Sequence, residues 1–310
     1  MAEYGALTAF LAVFSGMVRI AIPIAYGSLA STVCEKSGIV NIGVEGMMLA
    51  GSFGGVLGSW LSGNAWIGVL FSILFGMLFA LLHGVLTIRF HTGHIISGLG
   101  INLLASGLTT VWLAAIWGNT GKSDAVASLG TVNIPFIKDI PILGKMISGY
   151  SPFLYLMLVI CLLMRILFNR TVLGLRIRVI GENPHVADSV GIKVRLVQFI
   201  CVLACGAIAG MGGAYLSIGD IGLFARDMVA GRGYIAMAVT IFGGWSPVGV
   251  LGGSLLFGLA QGIQFRMQDI VPPQIVQMLP YVLTLLVLLL VKNRARGPAF
   301  GGKHFDRDAE

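Results

Sequence analysis

Nine apolar runs, most of them long enough to cross a bilayer as a helix, leave this chain few ways to fold. A spanning helix needs about 20 residues. The runs fall at 5–30, 38–61, 66–88, 95–117, 152–168, 196–216, 233–244, 248–265 and 276–291. Charged residues make up only 11% of the sequence, against roughly 25% in soluble domains, whose surface must face water. Most of the surface therefore belongs against lipid or other protein. An ordinary soluble enzyme, a disordered chain and a nucleic-acid-binding domain are excluded on the same ground. The expectation is an all-α, polytopic membrane bundle of about nine spans, built as a single domain over 1–310.

The run at 233–244 is too short for a regular span. Gly231, Gly233, Gly243 and Gly244 flank it, and Pro247 follows. A broken helix is expected, a form tolerated only where protein or a polar cavity covers the freed backbone. The opening MAEYGALTAF has no Lys or Arg before Arg19 and does not read as a signal peptide, which begins with a basic stretch.

Glycine is abundant, 44 residues in 310, about twice average usage. Pairs four apart recur: Gly51/Gly55, Gly54/Gly58, Gly206/Gly210, Gly249/Gly253 and Gly258/Gly262. Each pair presents a helix face without side chains, where a second helix can approach closely. A faint internal repeat relates IGVLFSILFG at 67–76 to VGVLGGSLLFG at 248–258, each after a Gly-rich segment. Five spans apart, the copies would run in opposite directions, as in transporters with inverted repeats. Chance similarity between Gly/Leu-rich runs is the other reading.

Basic residues set the orientation. The 169–195 loop carries Arg170, Arg176, Arg178, Lys193 and Arg195, and the tail at 292–310 carries Lys292, Arg294, Arg296, Lys303 and Arg307. The positive-inside bias makes both cytoplasmic and the more balanced 119–150 and 217–232 loops extracytoplasmic. Counting back through five spans places the N-terminus outside.

Catalytic signatures are largely missing. GNTGKS at 118–123 ends like a phosphate loop, but isoleucine stands at 116 where a Walker A needs glycine, and no strand precedes it. There is no HExxH and no GxSxG. Cys34, Cys161, Cys201 and Cys205 form no CxxC and read as small packing residues. His83, His91 and His94 cluster near the end of the third run, where ordinary interface histidines outweigh a metal site. No catalytic residue, metal site or cofactor is assigned to this chain.

Two stretches carry more. GLRIRVIGENPHVADSVGIKV at 174–194 is cytoplasmic by the charge argument. Asn183 is a good N-cap, Pro184 suits the first helical position, and Gly191 suits a left-handed stop. Val186 and Val190 share a face. A helix this short is marginal in water, and its composition fits docking into a groove on a partner. A plain surface turn is the alternative. EKSGIVNIGVEGMMLAG at 35–51 places Asn41 and Glu45 four apart, on one helical face if the helix is continuous. An acid inside an apolar run is costly and usually faces a bundle interior or a water-filled path. Glu45 and Asn41 are thus candidates to line a translocation path, with Asn102 as a weaker one. A glutamate bonded to neighbouring backbone is the structural alternative.

Together with GRGYIAMAVTIFGGWSPVGVLGGSLLFG at 231–258, these stretches resemble the permease subunits of bacterial ABC importers for sugars and nucleosides, over nearly the whole chain. Within that branch the chain is most similar to one of the two paired permeases of nucleoside importers, rather than to ribose or galactose permeases. The resemblance implies a multi-pass protein of the bacterial cytoplasmic membrane that forms the solute path with a second, paralogous permease. Cytoplasmic ATPase subunits would bind ATP and Mg and drive it, and an extracytoplasmic binding protein would deliver the solute. The other contacts expected are with membrane lipid, and none with nucleic acid. The family's coupling helix matches Glu182, Asn183, Pro184, Ala187, Gly191 and Ile192. A simple sugar on the same mechanism is the alternative solute. An ion-coupled transporter would want several intramembrane acids, and only Glu45 is convincing.

Overall fold

The computed structural model describes residues 2–132, 148–267 and 297–306, with scattered positions between 268 and 296. The helices are α1 (Ala2–Glu35), α2 (Val44–Ser62), α3 (Ala65–Gly84), α4 (His94–Trp117), α5 (Pro152–Arg170), α6 (Val172–Glu182), α7 (Pro184–Ser189), α8 (Val194–Ala214), α9 (Arg232–Phe242) and α10 (Pro247–Met267). Helix α3 ends in a π-helical turn, Val85–Arg89, and α8 in another, Tyr215–Ile221. Among the described residues there is no sheet, only two isolated bridges, Lys122 with Ala225 and Val132 with Tyr150. Among the described residues five helices are long and apolar enough to cross a membrane: Val13–Glu35, Ala65–Arg89, His94–Trp117, Pro152–Arg170 and Val194–Ile221. The expected span at 276–291 lies mostly outside the described residues.

Local chemistry sets the breaks. Gly63 takes φ 68° and stops α2, and the Asn64 side chain then accepts the Trp66 amide at 2.9 Å to start α3. Gly118 stops α4 at φ 62°. The run expected at 38–61 begins as helix only at Val44. Residues 36–43 are turns instead: Gly38 adopts φ 87°, and Asn41 folds its Oδ1 back onto the Gly43 amide at 2.9 Å. Asparagine and glycine offer the backbone local bonds that compete with a helix.

Helices α2, α3 and α8 all pack against one another, while α1 packs against α8, α9 and α10. The small-residue stripes make these contacts. A Cβ added at Gly51 would lie 2.5 Å from Gly210 Cα, one at Gly76 2.2 Å from the Gly206 carbonyl oxygen, and one at Gly258 2.4 Å from the Met17 carbonyl oxygen. Backbones this close gain dispersion that lipid contact would not replace. Ser52 adds polar glue, donating to the Gly213 carbonyl at 2.9 Å. Outward, Leu70, Leu74 and Leu78 on α3 and Leu158 and Leu162 on α5 are exposed, an apolar girdle that water would not tolerate. All four cysteines are buried and free, as packing residues should be.

Candidate functional site

Glu45 lies in the first turn of α2, yet its bonds go to α9. Oε1 accepts the Gly231 amide at 2.7 Å and Oε2 accepts the Gly233 amide at 2.6 Å. These are opening N–H groups of α9, which have no intrahelical acceptor. The carboxylate therefore caps a helix about 190 residues away in sequence. The approach requires glycine at 233, since a Cβ there would lie 2.6 Å from Glu45 Cα. Asn102 on α4 completes the junction. Its Oδ1 accepts the Gly46 amide at 2.8 Å, and its Nδ2 donates to the Ile42 carbonyl at 3.0 Å and to the Tyr234 hydroxyl at 2.9 Å.

Above this junction opens a cleft of about 460 Å³. Glu45, Asn102, Ser106, Asp227 and Tyr234 supply its polar groups, and Leu49, Leu99 and Leu103 supply apolar wall. Ser106 Oγ donates to Asp227 Oδ1 at 2.7 Å. Glu45 is bonded to backbone and also forms part of the cleft wall.

Asn41 does not share that position. It is fully buried, and its Nδ2 lies 3.3 Å from both Met47 Sδ and Cys205 Sγ. The placement of Asn41 and Glu45 on one helical face is corrected, because α2 starts after Asn41 and the turn aims the amide inward. Tyr234, Asp227 and Ser106 were not singled out by sequence. Asp227 read as charge balance in an outer loop, and nothing in its neighbours announces that it meets Ser106 on α4.

The second location is the 169–195 segment. Asn183 Oδ1 accepts the His185 and Val186 amides at 3.1 and 3.3 Å, and Pro184 opens α7. Gly191 takes φ 81°, and the Ile192 amide returns to the Ala187 carbonyl at 3.0 Å. The cap, the proline and the glycine stop thus stand where their chemistry predicts. Among the described residues Val186 and Val190 are uncovered, 52% and 70% exposed. Ala187 faces the other way. It is fully buried with Ile180, Val194 and Phe305, so it anchors the helix and presents nothing outward.

The tail at 297–306 straps this segment down. The Phe300 amide donates to the Gly181 carbonyl at 2.9 Å, the Gly302 amide to the Gly38 carbonyl at 3.0 Å, and the Ala299 amide to Glu182 Oε2 at 3.4 Å. His185 sets its ring edge against Phe305, centroids 5.2 Å apart. Beneath lies Lys36, whose ammonium burial pushes below its ordinary range; Arg178 adds to this and Glu182 opposes it.

The histidines of the third run stay close together, His83 and His94 both on the Val40 backbone and His91 and His94 both against His304. His83 bonds Ser97 Oγ at 2.9 Å, His94 Nδ1 accepts the Val40 amide at 3.1 Å, and His91 stacks on His304 at 5.5 Å. Among the described residues no group of three or more His, Cys, Asp or Glu could hold a metal.

Residues 13–288 match the family described as branched-chain amino acid transport system / permease component. The nucleoside ABC transporter permease NupC of Lactococcus lactis is 34% identical, over 94% of this chain and 96% of its own. The guanosine ABC transporter permease NupQ of Bacillus subtilis is also 34% identical, over 91% and 92%. TsgC13 of Haloferax volcanii, a permease named for glucose transport, is 30% identical over 87% and 88%. In each of these organisms a second permease named for the same kind of solute also matches, at 24% to 27% identity. With a family match over most of its length and relatives this similar end to end, the chain belongs to this family of ABC transporter permease components.

Proposed function

We propose that this chain is the membrane permease of an ABC importer and that its solute is a nucleoside. The observation that carries the mechanism is α7, a short helix capped at both ends whose Val186 and Val190 stand exposed among the described residues. Exposed valines on a rigid helix suit a groove on a partner, and here the partner is a cytoplasmic ATPase subunit that holds ATP and Mg. Glu182, Asn183, Pro184, Ala187, Gly191 and Ile192 hold the helix, and the two valines enter the groove. The permease pairs among the relatives support a paralogous second permease, with an extracytoplasmic binding protein delivering solute.

In this reading one transmembrane domain of nine spans, related by an inverted repeat, keeps 169–195 and the 292–310 tail in the cytoplasm. The 119–150 loop and the N-terminus lie outside, in a bacterial cytoplasmic membrane. The strap of 297–306 against α6 and α7 supports a shared side for loop and tail. The cleft falls at mid-depth. The start of α2 packs on Gly27 of α1, and the eight residues from there to the end of α1 rise about 12 Å in a hydrocarbon core of about 30 Å. A half-helix N-terminus at that depth is a recurrent solute-site device in transporters. Glu45 and Asn102 line the path there, and Asn41 supports the turn behind them.

Nucleoside rather than sugar rests on the 34% relatives. The glucose-named relative at 30% keeps a simple sugar as the second reading. Uptake of radiolabelled guanosine, uridine and ribose in cells lacking and regaining this permease, with and without ATP depletion, tests both. Restored, ATP-dependent nucleoside uptake is expected. Ribose uptake alone would keep the mechanism and change the solute, and uptake indifferent to ATP would overturn the role of α7.

A further inference from the structure

The cleft has one acidic group whose bonding is unfinished. The Glu45 carboxylate has each oxygen committed to a backbone amide. Asp227 differs. Its Oδ1 accepts from Ser106 at 2.7 Å, while among the described residues Oδ2 has only Arg226 Nε of the adjacent residue, at 3.5 Å, with both side chains more than half exposed. A carboxylate offers about four acceptor positions, so Asp227, which lines the cleft, keeps acceptor capacity beyond these two contacts. Such exposed ion pairs hold weakly.

The backbone that presents it is unusual. Asp227 and Ala230, neither of them glycine, adopt φ 51°, a conformation that persists only where the surroundings enforce it. Here the Arg232 guanidinium donates to the Met228 and Val229 carbonyls at 3.1 and 3.0 Å, and the Arg226 amide donates to the Gly121 carbonyl at 2.9 Å. The loop is fixed, and it aims Asp227 at the cleft.

Tyr234 stands across the same space. Its hydroxyl oxygen accepts from Asn102 at 2.9 Å, which leaves the O–H hydrogen to donate. Leu49, Leu99 and Leu103 form the apolar wall. The volume of about 460 Å³ lies within the roughly 300–1,000 Å³ of small-molecule sites. An acceptor carboxylate, one donor hydroxyl and a greasy wall suit a molecule with adjacent hydroxyls at one end and a flat, acceptor-bearing ring at the other.

We propose that Asp227 reads the vicinal 2′,3′-diol of a ribonucleoside, with Tyr234 donating to the base, so that this cleft is a specificity site as well as a passage; the proposal rests on the nucleoside reading above. Two adjacent hydroxyls can donate to one carboxylate at once, as acidic residues hold ribose in dinucleotide sites. A solute without the diol would leave Asp227 unpaired as it passes.

The test compares uptake of guanosine and 2′,3′-dideoxyguanosine by the complete importer in proteoliposomes, for wild type, Asp227→Asn and Asp227→Ala. The binding protein has its own preference, but it is common to every variant and cancels in the ratio. Asp227→Asn should lower the guanosine to dideoxyguanosine ratio about tenfold, the scale of one charge-assisted hydrogen bond. Asp227→Ala should lower it further, with dideoxyguanosine uptake falling less than guanosine uptake in both. Tyr234→Phe should slow both solutes alike. An unchanged ratio, or an equal fall for both solutes in the Asp227 variants, overturns the diol assignment while wild-type guanosine uptake leaves the nucleoside reading standing. Wild type that carries neither solute overturns that reading and the assignment with it.

Discussion

Helices α7 and α9 are both short, and each begins at a cap, but the caps come from opposite ends of the sequence scale. Asn183 caps α7 from the position next to it, reaching amides two and three residues on. Glu45 caps α9 from another helix, about 190 residues away. The first arrangement makes a rigid unit that keeps its shape while its surroundings move, which suits a part that docks. The second makes a joint. α9 holds its place only while α2 stays beside it, and any sliding of α2 against α9 must break two bonds to a carboxylate. Below α9 the pattern repeats, where Trp245 donates its Nε1 to Glu35 of α1 at 2.5 Å. The helix beside the cleft is thus held at both ends by acids from other helices.

The contrast can be broken experimentally. The largest effect expected is from Val186→Asp with Val190→Asp, which should abolish co-purification of the ATPase while the permease remains in the membrane. Normal co-purification would remove α7 from the coupling role. Next is Glu45→Ala. It strands two amides at a part-buried joint, at about 1–3 kcal/mol each, so thermal stability in detergent and transport should fall together. Glu45→Gln, which keeps an acceptor for only one amide, should fall in between. A stable Glu45→Ala protein with normal uptake would mean that α9 does not depend on its distant cap. Gly233→Ala should follow at roughly 1–3 kcal/mol, because the new methyl forces α9 off Glu45; it should resemble Glu45→Ala in kind and be milder in degree. The smallest is Asn183→Ala, worth about 1 kcal/mol as a lost cap. It should weaken ATPase association slightly and leave the melting of the membrane bundle unchanged. Equal effects from Asn183→Ala and Glu45→Ala would erase the distinction between local unit and joint.

These two regions were unequally legible. Every feature of α7 that matters is a property of neighbours in sequence: cap, proline, glycine stop and two valines four apart. The small-residue pairs were readable for the same reason, since spacing alone places them on one face, although not which helix would lie against them. The cleft was half legible. Glu45 stood out because an acid in an apolar run must find a partner, but the partner is backbone, and backbone carries no mark in a sequence. Asn41 was misplaced because periodicity assumed a helix through 38–43, where Asn41 and Gly38 had the local bonds to make turns. Asp227, Ser106 and Tyr234 were passed over because each is ordinary in its own segment.

What the sequence determined by itself follows from energies that depend on composition and near neighbours: a membrane-embedded helical bundle, a run at 233–244 too short for a regular span, and the capped helix at 183–191. Membership of the permease family was also carried by local blocks of residues. The tertiary structure alone decided that Glu45 closes the start of α9, that Asn102 ties α2, α4 and α9 together, and that Asp227 is left with an open carboxylate over a cleft. Those outcomes depend on which helix faces lie against one another. That choice is made by the summed packing of glycine stripes along α1, α2, α3, α8 and α10, no part of which can be assigned before the partner helix is known.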